Sequence, residues 1–251
     1  MSGVEITAGG YRTLPLVMQF SAGVAALPGF AVERARFEHP VPLAQGFARI
    51  EAHLKAIGRP LTAFCACELR SPEPFTEASF AAFNLVYTGT LREWGVMADG
   101  MNPVARSNVC PEIGPPGEPS FHAVSYTVEA PGAGPSFVVA GSCEVPENQP
   151  GEYASHIVRH GETSPEAIAE KARFVLGELE RRMGLLGASW AQVTGTQAYT
   201  VHDLGPFLAQ EIVARGAAPH GLTWHYNRPP VLGLEFEMDC RRVLLERVLE
   251  A

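Results

Sequence analysis

The segment Leu234-Glu235-Phe236-Glu237-Met238-Asp239 carries an acid at every second position. Alternate residues of an extended strand share a face, so Glu235, Glu237 and Asp239 should point the same way. On a solvated face they are polar surface. Partly buried, they raise one another's pKa, which suits proton transfer. Arg106 lies just beyond Asn102-Pro103, inside an apolar strand pattern, and reads as a solvated strand arginine or an anion receptor. Asn84 borders an apolar helical stripe between Phe80 and Tyr87, as a boundary residue or helix-packing hydrogen bonder. His156 and His160 are four apart, but they precede a helix and no third ligand follows at suitable spacing, so no metal site is expected. Cys65 and Cys67 alternate in a strand-like run, which places both sulfurs on one buried face. That spacing is neither a redox CxxC nor a zinc knuckle.

The elements that must position these residues follow from periodicity. Phe47, Ile50, Leu54 and Ile57 mark a helix that stops at Gly58, and Phe80, Phe83, Tyr87, Leu91 and Trp94 mark a second. Ile168, Ala172, Val175, Leu179, Met183 and Leu186 mark a third helix, ending at Gly187, and Phe207–Gly216 a short fourth. Strand-like runs separate them. Residues 129–136, with two Gly and two Pro, read as a linker near the midpoint. Each half then runs strand, strand, helix, strand, helix, strand, strand. The expectation is an α+β fold of two modules, 1–130 and 136–251, each a mixed sheet with two helices on one face. So small a module would cover its open sheet face by association, so homo-oligomerisation is expected.

At 46% hydrophobic and 18% charged residues the composition is that of a globular protein. A formal charge of −8 without a basic cluster argues against a nucleic-acid partner, and no apolar run is long enough to span a membrane. Five cysteines, an odd count without paired spacing or a secretion signal, point to free thiols in the cytoplasm.

The run Phe80–Tyr87 followed by Asn102-Pro-Val-Ala-Arg-Ser-Asn-Val109 resembles the RidA/YjgF family, whose members have a chorismate-mutase-like fold and commonly form trimers with sites at subunit interfaces. The resemblance covers nearly the whole chain as a tandem duplication, and a trimer of tandem chains is the assembly it favours. It implies Arg106 as the carboxylate-binding and catalytic arginine, Asn84 as a helix residue lining the site, and Tyr11 in Gly-Gly-Tyr-Arg-Thr as a substrate contact. It implies Glu235 on the last acidic strand as the water-positioning catalytic acid. The first module has Ser120 or Phe121 where that strand's Glu should be. The second has His220 or Gly221 where the Arg should be. Neither module is complete alone, so Arg106 of one would have to meet Glu235 of the other.

Residues 87–127 are similar to the group that deaminates 2-aminomuconate and its chlorinated derivatives. The implied reaction hydrolyses an enamine or imine of a small carboxylate, with no metal or cofactor. A dicarboxylate would need a donor beyond Arg106, either Arg70 or His122. The alternative is a non-catalytic module that senses a small metabolite in the same pocket. RNA cleavage, attached to some family members, conflicts with the acidic balance.

The pentapeptide Arg159-His-Gly-Glu-Thr163 matches the histidine-phosphatase signature, but that family places it just after the first strand, with most of the domain following. Here Thr163-x-x-Glu166 is a capping box with Pro165 in the first turn, so the segment reads as a strand-to-helix corner.

Overall fold

The computed structural model describes residues 3–17, 20–97, 100–147 and 149–249. Its strands are β1 (Val4–Ile6), β2 (Tyr11–Val17), β3 (Phe20–Ala26), β4 (Phe30–Pro42), β5 (Phe64–Arg70), β6 (Ala105–Pro111), β7 (Ser120–Glu129), β8 (Phe137–Cys143), β9 (Gly195–Tyr199), β10 (Thr223–His225), β11 (Asn227–Arg228), β12 (Glu237–Arg242) and β13 (Leu245–Leu249). The helices are α1 (Leu43–Ala56), α2 (Glu77–Glu93), α3 (Pro165–Leu185) and the single turn α4 (Gly205–Phe207), which continues as a π-helical segment over Leu208–Val213. The fold is α+β, as the element pattern implies.

Each helix forms where an apolar stripe recurs at three and four residues. Helix α1 buries Gly46, Phe47, Ile50 and Leu54, while Ile57 falls at the cap, 38% exposed, and Gly58 turns the chain at φ 70°. Thr76 caps α2, its hydroxyl accepting from the Ser79 amide, and the buried stripe of α2 takes in Asn84 itself. Ser164, not Thr163, caps α3, with Pro165 in the first turn as expected.

The sheet is continuous, with a main path β10-β9-β12-β8-β3-β6-β5-β7-β4-β13. Residues 129–136 connect β7 to β8, yet the halves interlock across them. Strand β3 sits between β8 and β6, and β13 returns to pair in parallel with β4. Helices α1 and α2 cover β4 to β7 around Phe47, Leu54, Phe64, Tyr87 and Phe121. Helix α3 and the short fourth helix cover β8, β9 and β12 around Phe137, Val175, Leu179, Phe207 and Phe236. On the face without helices, β5 and β7 meet β9 and β10. The Arg70 guanidinium lies 5.4 Å from the Tyr199 ring, and His122 lies 6.2 Å from His225. The sheet therefore curls back on itself.

Two local irregularities decide which way side chains point. A bulge between Phe64 and Ala66 breaks the alternation of β5. Cys65 consequently packs with Tyr11 and Val24, and Cys67 with the α2 core, so the sulfurs do not share the one environment that simple alternation predicts. The second irregularity is at residues 234–236. The Glu144 carboxylate accepts from the backbone amides of Glu235 (2.5 Å) and Phe236 (3.2 Å), and pairs with Lys171 at 3.3 Å. Both side chains of that ion pair are fully buried. Lys171 donates also to the Val158 carbonyl at 2.8 Å, tying the Arg159–Thr163 corner to α3. Lys171→Met should destabilise the protein by ~3–5 kcal/mol in urea denaturation, because it leaves the Glu144 carboxyl buried without its cation.

Candidate active site

Strand β3 separates β6 from β8 but, among the described residues, joins β6 only at Ser21–Ala105. Beyond that point lies a cavity of about 330 Å³, beneath the first turns of α2. Its floor comes from β6, β8 and β12. Residues 145–147, Gln149, Tyr153 and His156 form its cover with Pro230, Val231 and Leu234, and Phe20 and Phe80 form apolar walls.

Arg106 enters from β6 and is 3% exposed. A guanidinium can be buried there because four rings surround it: Phe20, Phe80, Phe83 and Tyr87, with centroids 5.0, 5.6, 5.4 and 4.7 Å away. Burial lowers its pKa from the ordinary arginine value, opposed by the nearby Tyr87, Cys67 and Glu237. Its Nη2 donates to Asn84 Oδ1 at 2.7 Å, so α2 and β6 fix its orientation together, while Nη1 is buried without a hydrogen-bond partner.

Glu237 enters the same cavity from β12, where it lies between Cys143 of β8 and Tyr199 of β9. It is 1% exposed, and burial pushes its pKa up to about 8, with Asp239 and Glu144 adding to the rise. The Cys143 thiol donates to Oε2 at 3.2 Å and opposes that rise, leaving Oε1 unpaired.

Asn108 is two residues beyond Arg106 on β6 and faces the cavity with it. Its Oδ1 accepts from Ser71 Oγ at 2.9 Å, and its Nδ2 is buried and unpaired. Ser107, between them, points the other way. It donates to Asp239 Oδ2 at 2.9 Å and accepts from the Gly141 amide at 3.1 Å. Gly141 has φ 50°, and a Cβ there would stand 2.5 Å from the Arg106 carbonyl, so only glycine lets β8 approach β6 this closely.

Arg106 and Asn84 are thus brought together at one cavity. Four other expected residues lie elsewhere. Tyr11 is fully buried beside Val24 and Cys65, its hydroxyl 3.4 Å from the Phe64 carbonyl. His122 lies on the helix-free face, where burial and Arg70 lower its pKa to about 3. Arg70 lies on the same side, against Tyr199. Glu235 is outside the cavity lining: it pairs with His202 at 2.8 Å and lies 3.7 Å from Arg228. Its displacement has a cause. The Glu144 carboxylate occupies the amides of 235 and 236, so β12 begins only at Glu237. The row of three acids therefore splits. Asp239 turns to Tyr199, Gln197 and Ser107, and Glu237 alone lines the cavity. His156 and His160 also diverge, His156 to the Pro150 carbonyl and His160 against Gly233.

Sequence reasoning missed Asn108 and Cys143, and it named Glu235 where the carboxyl of that row lining the cavity is Glu237, two positions on. The period of two from Arg106 was the available signal for Asn108. Nothing local marked Cys143.

A fixed cation with an unpaired Nη1, sharing a cavity with a carboxyl whose pKa of about 8 keeps it protonated at neutral pH, can hold an anion and pass a proton to it. The family model described as 2-aminomuconate deaminase CnbZ matches residues 3–247. A curated relative, the 2-amino-5-chloromuconate deaminase of Comamonas testosteroni, is 49% identical over 248 residues, covering 98% of each chain. A chorismatase crystal structure is similar in fold, with a TM-score of 0.51 over 88% of this chain and 77% of that one, at 14% identity. Such a match over nearly the whole length settles the family: the chain belongs to the 2-aminomuconate deaminases.

Proposed function

We propose that this cavity hydrolyses the enamine of 2-aminomuconate, or of a chlorinated 2-aminomuconate, to ammonia and the corresponding 2-oxo acid. The observation that carries the reading is that Arg106 and Glu237, each with a buried unpaired atom (Nη1 and Oε1), line one cavity between α2 and β12. Arg106 holds the carboxylate beside the amine-bearing carbon. Glu237, protonated below its pKa of about 8, gives its proton to the adjacent enamine carbon, which leaves an iminium. The resulting carboxylate takes a proton from water as the water oxygen bonds to the iminium carbon. The carbinolamine then passes its hydroxyl proton to the amine, the C–N bond breaks, and ammonia leaves as the C=O forms. One water is consumed and one ammonia released.

Ammonia release from 2-aminomuconate and its 5-chloro derivative tests the reading. Binding without ammonia from either substrate would identify a metabolite-sensing module instead. The same reading takes the working protein as a homo-oligomer, with Leu245 and Val248 exposed at one end of the sheet and Trp224 at the other, and sedimentation would give the number of chains.

A further inference from the structure

A muconate skeleton carries two carboxylates, and Arg106 accounts for one. Of the polar atoms left unpaired and buried among the described residues, three belong to side chains that line the cavity: Arg106 Nη1, Glu237 Oε1 and Asn108 Nδ2. The amide Nδ2 is a donor only, so its partner must be an acceptor. On an amino-diene dicarboxylate the strong acceptors are the carboxylates, since the amine nitrogen shares its lone pair with the diene.

The geometry separates the two donors. Arg106 and Asn108 leave the same strand face about 7 Å apart at their Cα atoms. The Arg106 head is drawn under α2 by Asn84, while the Asn108 head is anchored to Ser71 at the far end of β5. Arg182 also lines the cavity, but its Nη1 donates to the Ala140 carbonyl at 2.7 Å and its Nε to Glu147 at 2.8 Å, so those donors are occupied. We infer that Asn108 holds the distal carboxylate and makes the site selective for dicarboxylates over monocarboxylates of equal length. This inference rests on the proposed deaminase reading.

Two inert dienes isolate the effect. Muconate and sorbate share a six-carbon diene, with a carboxylate at one end of muconate where sorbate has a methyl group. Calorimetric titration of the wild-type protein should give at least tenfold tighter binding of muconate. In Asn108→Ala, with Asn108→Ser as the variant that keeps a small polar group, that ratio should fall about tenfold while sorbate affinity stays within about twofold. Equal binding of the two dienes by the wild type would overturn the inference without any variant. A ratio that persists in both variants would overturn it too. Equal weakening of both dienes would place Asn108 at the carboxylate they share, and so also sink it. Failure of the deaminase reading shows separately, as absence of ammonia from 2-aminomuconate with the diene selectivity intact.

Discussion

Arg106→Met is expected to lower kcat/KM on 2-aminomuconate by about 10²- to 10³-fold, the usual cost of removing one partner of a desolvated charge pair. The fall should appear without a matching loss of thermal stability. In the free protein this guanidinium is buried with its Nη1 unsatisfied, held by rings and a neutral amide, and a methionine fills similar space among Phe20, Phe83 and Tyr87. Arg106→Lys keeps the charge but not the planar fork that serves Asn84 and the substrate together, so it should restore only a small part of the activity. Steady-state kinetics beside thermal melts check both claims. Equal activity in wild type and Arg106→Met would remove Arg106 from the site.

Glu237→Gln should lower kcat by about 10²- to 10⁴-fold, the range associated with a positioned general acid and base. Its stability should change in the opposite sense, and the sign follows from linkage. The folded-state pKa of about 8 lies above the ordinary 4.5, so the folded protein binds the extra proton between those values. The wild-type contribution is fully present below pH 4.5 and is lost as pH rises through 8. Glutamine cannot ionise, so the variant should gain on the wild type from pH 5 to 9, by a few kcal/mol at the upper end. Urea denaturation at both ends of that range measures the difference. A parallel pH dependence in the two proteins would mean that Glu237 is charged in the fold. In the wild type, the protonation step also predicts falling turnover above about pH 8.

How far the sequence led can be followed along β12 and β6. The helices were legible because each buries a stripe that its own residues define, as Phe47, Ile50 and Leu54 do for α1. Arg106 and Asn84 were legible through a family resemblance, and the structure joins them by a hydrogen bond. The acid was legible only to within one strand period. Whether Glu235 or Glu237 faces inward depends on where β12 starts, and that is decided by Glu144, far away in sequence, which captures the two preceding amides. The bulge that separates Cys65 from Cys67 is likewise a matter of pairing with β7, invisible in the alternation of β5 alone. Strand partners were the least legible feature. No periodicity announces that β3 inserts between β8 and β6, yet that insertion creates the gap in which the cavity lies.

The return of β13 to β4 has a consequence for how the protein is made. Arg247 bonds Glu33 across 214 positions of chain, so residues 33–37 of β4 have no outer partner until β13 has left the ribosome. Until then that edge stays open, a template for pairing with a neighbouring nascent chain. Closing it requires a distant parallel pairing, the slow kind of step. Shortening residues 245–249 should therefore lower the yield of soluble protein well before it alters a cavity that β13 does not line.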